Sequence, residues 1–414
     1  MFVIFHASSG APVRISVKPG TLTVALGADT VDTFDACGRW LGGVEAGRYW
    51  RRGLDHRVVG AGRGERPARL LGAGARDAVL DRVHRGVAQI AADLAAGRLA
   101  ATPGTSPCDV AAIEQALTHA IAFDPASLAA DAQRFCALYG GPIAAFPGEL
   151  YRAVYLQTTR GCAWNRCSYC TLYAGQRASV LKGDTLDQHI AAVRAYFGPA
   201  LQLRRTAFLG DADAFLPGAA GLLDQFAVLH RHFAVGSQVS GDDRHPLAAI
   251  DAFGAPDSVL RCTSAELGEL ARLGLRRVYL GLETGCEPLR LLLQRREPLT
   301  DLRGAVERLH ASGLAVGLTV LAGVGGHAWQ ERHIHDTTRE LRRLDLNERD
   351  IVSLSPLDAD PHSAYAAWAA AEAAQPLAEG EVLAQIDTLK TALADGWSGG
   401  APRCAPYDLA ALIS

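Results

Sequence analysis

The sequence predicts an α/β fold: a partial barrel of six βα units, preceded by a mixed α+β module and followed by a short helical tail. Three observations carry this. Strand-like and helix-like segments alternate from Tyr151 to Leu357, the pattern of βα units around a parallel sheet. Before Tyr151 the chain reads as short strands followed by helices, and from His362 it reads as helix. The implied boundaries are 1–150, 151–360 and 361–414.

In the N-terminal module, VRISVKPGTLTVAL alternates apolar and polar residues around Pro19-Gly20 and predicts a hairpin. Further short strands are expected from Arg39 to Val59, and a glycine-rich loop from Gly60 to Gly74. Val79, Val83, Val87, Ile90 and Leu94 share one face of a helix over about Ala75–Ala100. Shorter helices are expected over Asp109–Ile121 and Pro125–Leu138.

The six barrel strands are expected at Val154–Thr159, Arg205–Gly210, Phe233–Ser240, Arg276–Glu283, Leu314–Gly323 and Asp350–Leu357. Helical patterns separate them: Thr185–Tyr196, Ala219–Arg231, Ser264–Leu273, Thr300–Ser312 and His333–Leu344. Six units fall short of the eight that close a full barrel. The segment PRCAPYDLAALIS at the C-terminus reads as irregular.

Composition narrows the class. An apolar fraction of 49% and a net charge of -3 describe an ordinary globular chain. Its bases are almost all arginine, with lysine only at 18, 182 and 390, and they are interspersed with acids. That favours a small-molecule partner over nucleic acid. No apolar run reaches the roughly 20 residues a membrane span needs, and MFVIFHASSGAPVR lacks the basic n-region of a signal peptide. A cytoplasmic location is expected, where cysteines serve metals or burial rather than disulfides.

Of nine cysteines, six are scattered singly. Cys162, Cys167 and Cys170 cluster as C-x4-C-x2-C directly after the first barrel strand. Thiolates closely spaced on one loop can surround a cuboidal iron–sulfur cluster. Three ligands leave one iron open to a small molecule, which suits a catalytic cluster rather than an electron-transfer one. A structural zinc site is the rival, but it wants four ligands. The nearest further candidates in sequence are Cys136 and His189.

The segment GCAWNRCSYC, following a strand at the head of six βα units, resembles the radical S-adenosylmethionine (SAM) superfamily. The usual spacing there is C-x3-C-x2-C, one residue shorter. The resemblance is greatest to a bacterial group of largely unassigned activity with a W-N-[KR]-C element in the loop. It implies a radical-SAM-type barrel, a [4Fe-4S] cluster on Cys162, Cys167 and Cys170, and SAM as the second cofactor. Tyr169, before the third cysteine, would lie near the adenine. Gly210, Asp211 and Asp213 in FLGDADAF would form the turn that holds the SAM amino group. Glu283 in YLGLETG would reach the ribose or amino-acid end, and Gly323 in LAGVGG would pack against the adenosine. Ser240 is a further strand-end candidate. The activity implied is reductive cleavage of SAM to a 5′-deoxyadenosyl radical, with electrons from a donor such as flavodoxin or ferredoxin. The alternative is a non-catalytic iron–sulfur or zinc protein, a redox sensor or scaffold.

Other signals carry less. Gly60, Gly62 and Gly64 imitate a dinucleotide turn, but Pro67 interrupts the helix that should follow. His327, Glu331, His333 and His335 read as solvated or as rim residues. Cys286 reads as a buried thiol.

Overall fold

A computed structural model of the chain describes residues 1–7, 12–62, 68–236, 244–371, 375–394, 397 and 400–406. It divides into two compact units, Met1–Ile143 with Ala192–Arg204, and Ala144–Ala191 with the chain from Arg205 onward.

The first unit is built on a nine-stranded antiparallel sheet. Its strands are β1 (Phe2–Ala7), β2 (Val13–Lys18), β3 (Thr21–Leu26), β4 (Thr30–Asp35), β5 (Trp40–Glu45), β6 (Arg48–Arg52), β7 (Val58–Ala61), β8 (Arg69–Leu70) and β9 (Leu99–Ala101). The sheet is a meander from β8 back to β1, with β9 added beyond β1. The expected hairpin is β2–β3, turning at Gly20, whose φ of 86° suits glycine. Alternation puts Val13, Ile15, Leu22, Val24 and Phe34 on the face packed against α1 (Ala73–Ala95) and α2 (Pro107–Ile121), with α3 (Pro125–Ala137) completing the core.

Helix α1 stops sooner than expected. Gly97 takes φ 68° and its N–H bonds Leu94 O, so the chain turns there and Leu99–Ala101 joins the sheet instead. Strands also enter the stretch expected as a loop, at Gly60–Ala61 and Arg69–Leu70; Gly64 and Pro67 fall outside the described residues. A buried ionic knot holds this unit: Arg39 Nε lies 2.8 Å from Asp131, which also accepts from the Tyr196 hydroxyl at 2.8 Å. Leaving any one of these groups buried and unpartnered would be costly.

The second unit is α/β. In chain order it runs β10 (Val154–Gln157), β11 (Thr159–Arg160), β12 (Ser179–Val180), α4 (Gly183–Phe197, of which the part from Ala192 belongs to the first unit), β13 (Thr206–Gly210), α5 (Gly218–His232), β14 (Phe233–Val235), β15 (His245–Leu247) and β16 (Ala249–Phe253). It continues with α6 (Pro256–Leu260), α7 (Ser264–Arg272), β17 (Leu275–Glu283), α8 (Glu287–Leu292), α9 (Leu299–Ala311), β18 (Ala315–Ala322), α10 (Gly326–Arg343) and β19 (Ile351–Pro356). Helices α11 (Ala364–Ala371) and α12 (Glu379–Ala394) precede β20 (Arg403–Pro406).

Seven strands form one parallel sheet in the order β10-β13-β16-β17-β18-β19-β20. Each new strand is laid down beside the last, the commoner arrangement for consecutive strands, and because all pairings are parallel every strand's C-terminal end faces the same edge. The six-unit α/β architecture expected from the sequence is therefore present, with two corrections to its strands. The third barrel strand is β16, whereas Phe233–Val235 pairs with β15 in a separate two-stranded sheet. The sequence hid β16 because buried Asp251 interrupts its apolar run; both of its oxygens are held by Arg276. Ser240, assigned to the end of that third strand, lies outside the described residues. The second correction is β20, a seventh strand within the segment read as irregular. Its flanking prolines break the pattern, yet they are tolerated at a sheet edge.

Below the C-terminal edge the barrel interior is filled by aromatic rings. Phe208 packs edge-on against Phe146, Phe253 and Tyr279 at centroid distances of 5.3, 4.8 and 5.9 Å. This packing, worth about 1 kcal/mol per pair beyond area burial, closes the barrel below and leaves a cavity above it.

Candidate active site

The cysteine loop begins where β11 ends. Gly161 takes φ 68° and Asn165 φ 47°, the left-handed conformations that let the chain fold back tightly. The Asn165 side chain donates to Tyr173 O at 2.8 Å, and its N–H donates to Cys162 Sγ at 3.3 Å. The base of the loop is closed by β11 pairing with β12. The far side is docked on the end of α8: Ser168 N–H donates to Leu293 O, its hydroxyl to Leu292 O, and the Trp164 indole to Gln294 O. Fixed at both ends, the loop presents Cys162, Cys167, Tyr169 and Cys170 to one cavity of about 220 Å³.

Five neighbouring parallel strands, or the turns directly after them, reach that cavity. Ala212 and Asp213 follow β13, Phe253 to Ala255 end β16, and Tyr279 to Glu283 belong to β17. Thr319 and Leu321 come from β18 and Ser355 from β19. The C-terminal edge of a parallel sheet is where α/β folds place ligands.

Glu283 owes its position to a break in the ladder. The β17–β18 register shifts between Gly281 and Glu283, and Glu283 takes φ 61°. Bulges next to active sites re-aim side chains in this way, and a non-glycine residue with this φ signals a constrained position. A Cβ on Gly281 would lie 2.3 Å from the Glu283 carboxylate, so a side chain there would displace that carboxylate from its place beside Arg295. Glu283 is 6% exposed. Burial pushes its carboxyl upward, while Arg295 and the Tyr169 hydroxyl oppose the shift.

Asp213 is held differently. Its carboxylate accepts from Phe215 N–H at 3.0 Å, Ala255 N–H at 3.2 Å and the Ser258 hydroxyl at 2.5 Å. Burial still raises its pKa despite these donors. It ties the end of β13 to the end of β16 while lining the cavity.

Asp211 points elsewhere. Its carboxylate accepts from the Tyr155 hydroxyl at 2.6 Å, from Gln157 Nε2 at 3.1 Å and from Gly161 N–H at 2.9 Å. It clamps β10 and the first residue of the cysteine loop, and it is not among the cavity-lining residues. Gly210 precedes it across a cis peptide bond; a Cβ here would lie 1.9 Å from the Tyr155 hydroxyl. Gly323, at φ 88°, donates its N–H to Gln385 and is likewise not among the cavity-lining residues.

Sequence reading missed Arg295. Its Nη1 lies 3.7 Å from Cys167 Sγ and 3.5 Å from Glu283, and its Nη2 donates to Gly281 O at 3.2 Å. A guanidinium thus links a cysteine, the bulge glycine and the cavity carboxylate. It sits beyond the end of a short helix, in QRREP, where neither periodicity nor a motif marks it. Glu297, 3.5 Å from Arg295, shares the same pocket.

The histidine-rich segment is part of α10, which starts at Gly326 rather than near His333. His333 is fully buried, not solvated or at a rim, and bonds the Thr284 hydroxyl at 2.8 Å; His327 pairs with Glu381 and His335 is exposed. Cys286 is buried, as expected.

The cavity suits an iron–sulfur cluster by its donors. Three thiols share it, and a backbone N–H and a guanidinium already face two of the sulfurs. Such contacts stabilise cluster thiolates. Among the described residues no three His, Cys, Asp or Glu converge as a single-ion site. A cuboidal cluster needs no such convergence, since each thiolate takes a separate corner.

No protein-family model matches the chain, and no curated protein matches it. Three solved structures illustrate what it is similar to. The cobalamin-dependent S-adenosylmethionine radical enzyme OxsB, with aqua-cobalamin and S-adenosylmethionine bound, matches at TM-score 0.37 and 15% identity, over 58% of this chain and 31% of that one. Coproporphyrinogen III oxidase (HemN) from Escherichia coli, a radical SAM enzyme, matches at TM-score 0.42 and 14% identity, over 58% and 52%. Methylornithine synthase (PylB) matches at TM-score 0.38 and 12% identity, over 61% and 70%. The chain thus spans about a third of OxsB and half of HemN.

Proposed function

We propose that this chain is a radical SAM enzyme, holding a [4Fe-4S] cluster on Cys162, Cys167 and Cys170 and reductively cleaving S-adenosylmethionine to act on a substrate yet to be identified. One observation carries the reading: three cysteines on one loop share a cavity with residues from five neighbouring parallel strands, β13, β16, β17, β18 and β19, or the turns that follow them. The cysteine spacing leaves a cubane with one vacant corner, and the cavity offers carboxylates beside it for a cationic ligand.

When bound, the cluster supplies the electron that breaks the sulfur–carbon bond of SAM; the hard chemistry is the cofactor's. This chain's own residues bind, orient and enclose. Asp213 and Glu283 are the acceptors for the SAM ammonium and ribose hydroxyls. Arg295 orients Glu283 and faces Cys167 with a fixed positive charge. Tyr169, on the cavity wall beside Cys170, would pack against the adenine. The aromatic packing of Phe208, Phe253 and Tyr279 excludes water from below. Gly210, Asp211 and Gly323 act one layer behind, as the turns and clamp that hold the cavity wall.

A low-potential one-electron carrier, a flavodoxin or ferredoxin, is the natural donor, and a small molecule the natural substrate. No helix among the described residues is long and apolar enough to cross a membrane, and a reduced cluster suits the cytoplasm. The test is direct. Cluster-loaded protein reduced with dithionite and given SAM releases 5′-deoxyadenosine, detected by chromatography. A zinc or sensor protein releases none, and that result would overturn the reading.

A further inference from the structure

We infer that the first unit carries a binding site for a small primary amine, with the amine's apolar body in a cavity between the sheet and α1 and its ammonium at the mouth of that cavity. The inference uses the first unit alone and stands whether or not the second unit holds a cluster. The cavity measures about 160 Å³. Its wall is formed by Val24, Leu26 and Phe34 from the sheet and by Val83, Val87 and Ile90 from α1. A cavity of about 150 Å³ lined by such side chains stays dry and takes up benzene, so this one has room for a ring-sized group.

The space originates in the sequence. Val83, Gly86, Val87 and Ile90 follow the helical spacing that faces the core, and Gly86 alone among them brings no side chain. Glycine weakens a helix interior relative to alanine, and packing does not demand it here. A Cβ on Gly86 would meet only Leu26 Cδ1, at 3.9 Å. The missing side chain leaves the interior open at a place where protein cores are otherwise close-packed.

The mouth is polar. Asp32 lies opposite Val24, on the core-facing side of β4, and is 7% exposed. Arg82 Nη1 donates to its Oδ2 at 2.5 Å, and the Trp40 indole donates to its Oδ1 at 3.0 Å. Thr30 and Glu45, register partners on β4 and β5, also line the cavity, with Glu45 3.5 Å from Arg82 Nε. Two carboxylates therefore face one guanidinium. Burial raises the Asp32 pKa; Arg82 opposes the rise and Glu45 adds to it.

The occupant follows from this imbalance. An ammonium supplies the missing positive charge, and its three donors match the Asp32 and Glu45 carboxylates and the Thr30 hydroxyl. A carboxylate ligand would bring a third negative charge, and a neutral one would leave the excess uncompensated. An apolar pocket with a few polar groups that fix orientation is the usual build of a small-molecule site.

The experiment titrates phenethylamine calorimetrically into the full-length chain, with 3-phenylpropionate and benzyl alcohol as acidic and neutral probes of similar body. Two variants accompany it. Gly86→Leu fills the cavity from α1, and Glu45→Gln removes a charge from a side chain that is 42% exposed. Phenethylamine is expected to bind at one site per chain, about tenfold or more tighter than either other probe. Glu45→Gln weakens it about threefold. Gly86→Leu abolishes it while raising the melting temperature; should that variant not fold, Glu45→Gln decides alone. The absence of saturable binding overturns the inference. So does binding unchanged in the variants, which places the amine elsewhere, and so does 3-phenylpropionate or benzyl alcohol binding as tightly as the amine. Iron-free chain gives the same titration, so failure of the cluster reading and failure of this site are told apart.

Discussion

The guanidinium of Arg295 stands 3.7 Å from the sulfur of Cys167, and both residues line the cavity. A positive charge beside a cluster ligand favours the reduced, more negative cluster. Arg295→Gln is therefore expected to retain iron but to lower the cluster's midpoint potential by on the order of 60 mV, a tenfold change for a one-electron couple. Arg295→Lys should recover most of the shift. A redox titration followed by electron paramagnetic resonance reads it directly; an unchanged potential in the glutamine variant contradicts the assigned role.

Cysteine substitutions separate ligands from bystanders. Serine at 162, 167 or 170 should each abolish the bound iron and the brown colour, since thiolates hold such clusters. Serine at exposed Cys108, in the first unit, should leave iron content unchanged. Iron assays across the four variants check this, and full iron in any of the first three removes that cysteine from the ligand set.

Glu283 and Asp211 are both buried carboxylates of the site, but they should fail in different ways. Glu283→Gln keeps the fold and the iron while weakening SAM binding about tenfold, the cost of roughly one charged hydrogen bond. Asp211→Ala strips acceptors from Tyr155, Gln157 and Gly161 and should destabilise the protein by about 3 kcal/mol. Tyr155→Phe should cost only about 1 kcal/mol. Equilibrium SAM binding and urea unfolding distinguish the two roles. A destabilised Glu283→Gln with normal SAM affinity would reverse the assignment.

His333 predicts a pH dependence of stability. Burial holds its pKa down to about 4, against an ordinary value of 6.5. The folded state keeps the ring neutral while the unfolded chain protonates it, so its contribution is present in full above pH 6.5. It is lost as pH falls from 6.5 toward 4, by about 3 kcal/mol in all. His333→Gln should flatten that segment of the stability profile, measured by denaturant unfolding at successive pH values. An equal slope in both proteins would assign the loss to other groups.

Much of this was legible in the sequence because it is written in local patterns. The βα alternation, the α1 face and the cysteine spacing depend on residues near one another in the chain, and the strand ends at Gly210 and Glu283 fall where expected. What escaped notice depends on partners far away. Strand β16 is hidden by Asp251, whose charge is tolerable only because Arg276 meets it across the sheet. Strand β20 is concealed by prolines that only an edge position permits. Arg295 lies in a polar turn and acquires meaning only when the β17 bulge and the cysteine loop are brought to it. Asp211 and Asp213, two residues apart, look alike in sequence, yet one clamps the loop and the other lines the cavity.

The central claim is that three cysteines hold a cuboidal cluster with one iron left for SAM. Mössbauer spectroscopy of the anaerobically purified, iron-57-loaded chain tests it most directly. The account predicts about four irons per chain, one of which changes its isomer shift when SAM is added while the other three do not. A colourless protein holding a single tetrahedral zinc, or a cluster whose irons all ignore SAM, would contradict it.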